Sequence, residues 1–175
     1  MISYRELLIN DIHHIEDIDR SETITYIYKL KGGELQELQA SHECPSWDKE
    51  AIIELKERLL YELVSGGKAI GAFEADRMVG FGVLAHPFRG AEQNQLQIDL
   101  MYVSKAFRRM GIGTEILNQL SDEARKRGAA YLYISSTETQ SAVFFYKSNG
   151  SQITNEVDPE LFEKEPLDIH MLKKL

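Results

Sequence analysis

Two arginines, two glycines and a threonine fall together at Arg108-Arg109-Met110-Gly111-Ile112-Gly113-Thr114. These residue types at this spacing can hold a phosphate or pyrophosphate. Gly111 and Gly113 lack Cβ atoms and let an anion approach backbone amides, Arg108 and Arg109 supply positive charge, and Thr114 offers a hydroxyl. Gly113, Ile116, Leu117, Leu120 and Ala124 then recur on one helical face, so the turn opens a helix whose first amides lack partners and carry partial positive charge. An ordinary strand-to-helix turn also uses such glycines for tight packing. A Walker loop would need Gly-Lys-Ser/Thr after four intervening residues, and a dinucleotide fingerprint would need three glycines as G-x-G-x-x-G; neither occurs at this turn.

The elements that must position this turn can be read on either side of it. Leu96 to Val103 mixes apolar, aromatic and β-branched residues and predicts a buried strand leading into the turn, and Gly128 can close the helix that follows. Ala130 to Ser135 predicts the next strand; strand, crossover helix and strand favour a parallel pair with a right-handed connection. Upstream, Lys68 to Glu74 and Met78 to Ala85 flank Ala75-Asp76-Arg77 as an antiparallel hairpin, with Pro87 to Asn94 expected as a polar loop. Ile2 to Ile9 reads as a first strand, and Asn10 or Asp11 as the cap of a helix carrying Ile12, Ile15 and Ile18. Adjacent His13 and His14 point about 100° apart on such a helix and do not make a zinc pair. Ser21 to Gln39, divided by Gly32-Gly33, predicts two short strands or an irregular hairpin. Ser46 or Asp48 should cap a helix with an apolar stripe at Ile52, Leu55, Leu59, Leu60 and Leu63, ending at Gly66-Gly67. Thr139 can cap a helix holding Ala142, Phe145, Tyr146 and Asn149 that stops at Gly150, and Leu167 to Leu172 predicts a last strand after a polar stretch.

Composition bounds the function. The 175 residues suggest one domain over 1–175, and 43% hydrophobic with 27% charged residues describes a globular chain. A net charge of −8 argues against a general nucleic-acid binder and weakly favours cationic partners. The lone Cys44 rules out an internal disulfide, and with no signal segment and no apolar run of membrane-spanning length the expected location is cytoplasmic, with no membrane partner.

The order of apolar strand, Arg-x-x-Gly-x-Gly turn and amphipathic helix resembles the acetyl-coenzyme A signature of the GNAT superfamily of N-acetyltransferases. A second stretch, Thr139-x-x-Ala142-x-x-x-Tyr146-x-x-x-Gly150, resembles the other half of that signature, with Thr139 and Ser151 where relatives often carry Asn and an aromatic. The resemblance implies an α/β fold with a mixed, largely antiparallel sheet and helices on both faces. It implies transfer of an acetyl group from acetyl-coenzyme A to a primary amine by direct attack through a tetrahedral intermediate, the acceptor being a small molecule or a protein amino group. By the same resemblance, strands containing Met101 and Tyr131 to Ser135 splay apart, and backbone groups around Met101, Tyr102 and Val103 pair with the pantetheine arm. The pyrophosphate would lie on amides from Arg109 through Ile112 and Gly113 to Thr114, and Thr139 would contact pantetheine through its hydroxyl. Tyr146 would be the general acid for the departing thiolate. Tyr26, Tyr28 and Trp47 become acceptor contacts on the same ground. A noncatalytic acyl-coenzyme A-binding module is the alternative from another class, and a homodimer remains open.

A protonated amine has no lone pair, so a base is also required. Asp99 is the acidic residue inside the central strand; it shares the face of Met101 and Val103 if that strand is regular, and a bulge would invert the assignment. Glu92 and ordered water are its rivals, since relatives often carry Glu where this chain has Gln97.

Overall fold

A computed structural model describes residues 1–175. Nine strands and four α-helices follow in the order β1 (Ile2–Glu6), β2 (Glu22–Lys31), β3 (Glu34–Cys44), α1 (Lys49–Ser65), β4 (Lys68–Glu74), β5 (Arg77–Arg89), β6 (Gln95–Val103), α2 (Ile112–Lys126), β7 (Tyr131–Ser136), α3 (Gln140–Ser148), β8 (Ser151–Ile153), α4 (Pro159–Lys164) and β9 (Ile169–Lys174). Seven strands form one sheet in the order β1-β4-β5-β6-β7-β9-β8, while β2 and β3 make a hairpin of their own. Every pairing is antiparallel except β6 with β7. That parallel pair is the one joined by a crossover helix, α2, as the sequence order requires.

Two apolar clusters sandwich the sheet. On one face Ile116, Leu117, Leu120 and Ala124 of α2 and Val143 of α3 pack on Leu96, Ile98, Leu132 and Ile134. On the other, Leu55 and Leu59 of α1 and Ile15 of a 3-10 segment pack on Phe81, Val83 and Leu100. Gly82 sets how closely α2 approaches the sheet, because a Cβ there would lie 2.7 Å from Ile116 and 3.0 Å from Leu120. No helix is long and apolar enough to cross a membrane.

Several local expectations change. Ile9–Asp17 is a 3-10 segment; Leu8, not Asn10 or Asp11, occupies the cap, and the Asp11 carboxylate folds back to accept from the Leu8 amide at 2.8 Å while pairing with Arg5. Asp48, rather than Ser46, caps α1 by accepting from the Ala51 amide at 2.8 Å, and Gly66 closes the helix at φ 101°. In the α1 stripe Leu60 faces solvent and Glu62 is buried, because Glu62 accepts from the His86 amide at 2.9 Å and pairs with its Nδ1 at 2.8 Å. Strand β5 runs through Pro87 to Arg89, so the expected polar loop shrinks to Gly90–Asn94; a register irregularity between Leu84 and Phe88 accommodates the proline. The hairpin after Ser21 extends to Cys44, turning at Gly32 and Gly33, both of positive φ. The polar tail contains α4 and β8, and β9 inserts between β7 and β8.

Two departures from regular pairing shape the middle of the sheet. β6 and β7 pair from Gln95↔Tyr131 to Ile98↔Ile134 and no further; β6 continues on β5 and β7 continues on β9, so a gap opens beyond Ile98 and Ile134. At the same level the register of β5 on β6 steps from Val83↔Leu100 to Leu84↔Ile98, which leaves Asp99 as the extra residue of a bulge.

Candidate active site

The start of α2 forms one wall of this gap. Arg109 and Gly111 both adopt left-handed backbone, φ 63° and 79°, and Gly111 is the N-cap with no side chain to satisfy the helix. Glu115 is the first amide bonded back into the turn, to the Gly111 carbonyl at 3.0 Å. The amides of Ile112, Gly113 and Thr114 lie ahead of it, without intrahelical acceptors, at the positive end of a 15-residue helix. The two glycines do different jobs. Gly111 faces open space, where an anion could reach the backbone, whereas a Cβ on Gly113 would meet the Phe145 ring at 3.0 Å, so Gly113 allows α3 to approach α2. The arginines divide in the same way. Arg108 donates from Nε to the Val103 carbonyl and from Nη1 to the Ser21 carbonyl, each at 3.0 Å, and so ties the turn to β6 and to the segment before β2. Arg109 is exposed and unpaired.

Helix α3 supplies the next wall. Thr139 caps it, accepting from the Ala142 amide at 3.4 Å, and its hydroxyl lies 3.3 Å from that of Thr137 and 3.4 Å from that of Ser141. Its backbone also bridges to Ile27, which docks the β2–β3 hairpin against the site; the Tyr28 amide bonds to the Glu138 carbonyl at 2.7 Å. Tyr28 is buried with its hydroxyl toward Glu37, and Tyr26 stands exposed on the hairpin. Tyr146 is 9% exposed within the α2 face cluster, and its hydroxyl has no hydrogen-bond partner in the protein. Burial, followed by electrostatic interaction with Tyr102 and with the Asp168 carboxylate, pushes that hydroxyl well above the ordinary tyrosine value, so it stays protonated.

The opposite side of the gap opens as a cleft of about 450 Å³ on the α1 face, whose lining includes Arg58, Gln97, Asp99, Ser135, Glu165 and Asp168. The bulge turns Asp99 to this face, away from Met101 and Val103, which pack toward α2. Both Asp99 carboxylate oxygens accept from Arg58, at 2.7 and 3.1 Å, and its carbonyl accepts a third bond. Tyr102 lies against Trp47, ring centroids 4.8 Å apart and nearly perpendicular. Glu92 is remote, in the β5–β6 turn beside Asn94. Sequence reasoning passed over Asp168, which accepts from the Ser135 hydroxyl at 2.8 Å. Burial raises its carboxyl to about 6, with the negative charges of Glu165 and Glu138 also raising it and the Ser135 bond and Arg58 opposing. The available signal was a single acid immediately before a buried strand, Asp168 before Ile169-His170-Met171.

The model of the "Acetyltransferase (GNAT) family" matches residues 33–150, a stretch holding the gap, the α2 turn and α3. The chain belongs to the GNAT acetyltransferase family. Solved structures agree in fold. Nourseothricin acetyltransferase is 17% identical, with 99% of this chain and 98% of that one covered at a TM-score of 0.74. A Bacillus anthracis protein named as a streptothricin acetyltransferase and crystallised with acetyl coenzyme A is 19% identical, with 100% and 99% covered at 0.76. PaiA N-acetyltransferase of Thermoplasma acidophilum, crystallised with coenzyme A, is 19% identical, with 100% and 99% covered at 0.66. Comparison with curated proteins gives no significant match.

Proposed function

We propose that this GNAT protein, acting as a single domain over 1–175, transfers the acetyl group of acetyl-coenzyme A to a primary amine by direct attack through a tetrahedral intermediate. The observation that carries the reading is the central gap, with free helix amides and an unpartnered tyrosine hydroxyl on one face and an acid-lined cleft on the other. The residues present fit the cosubstrate. The amides of Ile112, Gly113 and Thr114, with Gly111 open and Arg109 unpaired, would hold its pyrophosphate. The backbone of Met101, Tyr102 and Val103, unpaired on the β7 side, would take the pantetheine arm as an added strand, although the Val103 carbonyl is already committed to Arg108. Thr139 would approach the same arm only by sharing a hydroxyl engaged in capping α3.

Acetyl-coenzyme A would supply the activated thioester, and the chain's residues do the rest. Tyr146, protonated and without a hydrogen-bond partner in the protein, would donate its proton to the thiolate as the C–S bond breaks. The amine would enter from the α1 face, where the cleft lining mixes Arg58, Arg89 and Lys164 with five carboxylates, of which Glu165 and Asp168 have no ion-pair partner and could face an ammonium group. Nourseothricin and streptothricin, named for two structural neighbours, head the amine panel, followed by spermidine, lysine and a short peptide with a free N-terminus. Release of free thiol from acetyl-coenzyme A is measured with each; amine-dependent release supports the reading, and tight acetyl-coenzyme A binding with no release across the panel turns it toward a noncatalytic module.

A further inference from the structure

We propose that Asp168 is the base that takes the proton from the attacking nitrogen, an inference that rests on the acetyl-transfer reading above. The gap places two residues across from one another at the level where β6 and β7 part, Asp99 on β6 and Ser135 on β7, each one position beyond the last pair. Asp99 is engaged: the Arg58 guanidinium donates to both its carboxylate oxygens, so a cation already occupies the place an ammonium would take beside it. Ser135 instead holds Asp168 through one oxygen, Oδ2, and the second oxygen has no partner in the cleft. Tyr146 comes to the gap from α3 on one face and Asp168 from the residue before β9 on the other, where the Ser135 hydroxyl fixes it, and the Asp168 carboxylate is among the charges that raise the phenol. Arg58 from α1, Asp99 from β6 and Glu165 from the end of α4 line the cleft with Asp168, and Glu138 from the loop before α3, Tyr102 from β6 and Tyr146 from α3 interact with it through charge. The cleft also holds Arg89, Lys164 and His86, but each of its cations is paired elsewhere, Arg58 with Asp99, Arg89 with Asp158 and Glu160, Lys164 with Glu160 and His86 with Glu62, so none is paired with Asp168.

The step balances without any further reagent. The ammonium loses one proton to water, and the nitrogen lone pair forms the C–N bond while the carbonyl pair moves onto oxygen. Asp168 accepts one of the two remaining nitrogen protons, which have become acidic on bond formation. The oxygen pair then returns, the C–S bond breaks with its electrons on sulfur, and Tyr146 gives its proton to the thiolate. Proton return from Asp168 to Tyr146 through water restores both groups. The sum is ammonium and thioester giving amide, thiol and one proton. A carboxyl near 6 suits this work better than one at an ordinary value, because it accepts a proton more readily yet remains ionised at neutral pH.

The test compares wild type, Asp168→Asn and Asp168→Glu using acetyl-coenzyme A and whichever amine of the panel gives the largest thiol release. Three quantities are read: the carboxylate titration of the free protein by carbon-13 NMR, acetyl-coenzyme A affinity, and kcat/KM against pH. The expected result is an Asp168 titration near pH 6 in wild type that is absent from Asp168→Asn, with unchanged acetyl-coenzyme A affinity. Asp168→Asn should also lose roughly 10²–10⁴-fold in kcat/KM and the inflection near pH 6, as removal of a general base predicts, and Asp168→Glu should recover part of both. Wild-type kcat/KM in Asp168→Asn, or an inflection that survives the substitution, overturns the assignment while leaving acetyl transfer intact. An equal loss in Asp168→Asn and Asp168→Glu accompanied by loss of acetyl-coenzyme A affinity assigns Asp168 to structure and also overturns it. If wild type releases no thiol with any amine, the acetyl-transfer reading itself falls, and this inference with it.

Discussion

At the scale of single residues, the site is a set of charges and hydroxyls whose surroundings differ more than their chemistry. Tyr146→Phe removes a hydroxyl that bonds to nothing in the protein, so stability should change by less than about 1 kcal/mol, the worth of an ordinary hydrogen bond. Turnover should fall by roughly 10²–10⁴-fold with acetyl-coenzyme A affinity held. Melting, cofactor titration and steady-state rates measured on one preparation check this; unchanged turnover removes Tyr146 from the mechanism. Two aspartates give opposite pH signatures. The Asp168 carboxyl, raised from 3.8 to about 6, is penalised when ionised in the fold, so its contribution to stability is fully present below about pH 4 and is lost as pH rises through 6. Asp168→Asn should therefore be more stable than wild type at pH 7.5 by about 1–2 kcal/mol after allowing for its partial exposure, read by denaturant unfolding, and the difference should vanish near pH 4. Asp11, lowered from 3.8 to about 2 chiefly by the Arg5 hydrogen bonds, contributes above pH 4 and loses that contribution as pH falls toward 2. Asp11→Asn should thus cost about 1 kcal/mol at pH 7 and nothing near pH 2, checked by denaturant unfolding at the two pH values.

At the scale of elements, the two glycines of the α2 turn fail differently when replaced. Gly111→Val forces a β-branched residue into left-handed backbone at φ 79°, a strain of about 1–3 kcal/mol, and shields the amides from an anion. Gly113→Val instead drives Cβ and its methyls into the Phe145 ring, an overpacking cost of about 1–3 kcal/mol that Phe145→Leu in the same chain should partly relieve. Thermal melts of the single and double variants, each with an acetyl-coenzyme A titration, separate strain at the anion site from crowding between helices; additive losses in the double variant would show that Phe145 is not what Gly113 accommodates. The difference between these glycines was hidden in the sequence, because a missing Cβ looks the same whether it admits a phosphate or a neighbouring ring. Periodicity made the sheet order around β6, α2 and β7 legible, and the Gly32-Gly33 and Gly66 breaks fell where glycine adopts positive φ. Long-range events were not legible. The single residue of the Asp99 bulge reverses a face without altering local composition, and the ion pair that occupies Asp99 comes from Arg58, 41 positions away. Asp168 reaches the site only because β9 inserts beside β7, a pairing that no local pattern specifies.

At the scale of the whole molecule, one sheet holds both apolar clusters, and both faces of the central gap contribute to the site, so ligand binding should be felt across the chain. The apo protein is expected to melt in a single transition, and acetyl-coenzyme A to move that transition as a unit, since a ligand that binds only the folded state stabilises it by mass action. At a concentration about 100 times Kd the gain is about 2.7 kcal/mol. For a chain of this size each kcal/mol raises Tm by roughly 2–4 °C, which gives a shift of roughly 5–11 °C. Trp47 is the only tryptophan, and it packs edge-on against Tyr102 on the α1 face, opposite the α2 amides proposed for the pyrophosphate. Its fluorescence therefore reports on one side of the sheet while the ligand's charged end lies on the other. Circular dichroism follows the helices and strands of both faces, so coincident shifts by the two probes are the expected outcome. A fluorescence transition that stays in place while the circular dichroism transition moves would show that the two faces unfold separately and would overturn the single-domain reading. No shift by either probe at millimolar acetyl-coenzyme A would remove the cosubstrate from the α2 turn.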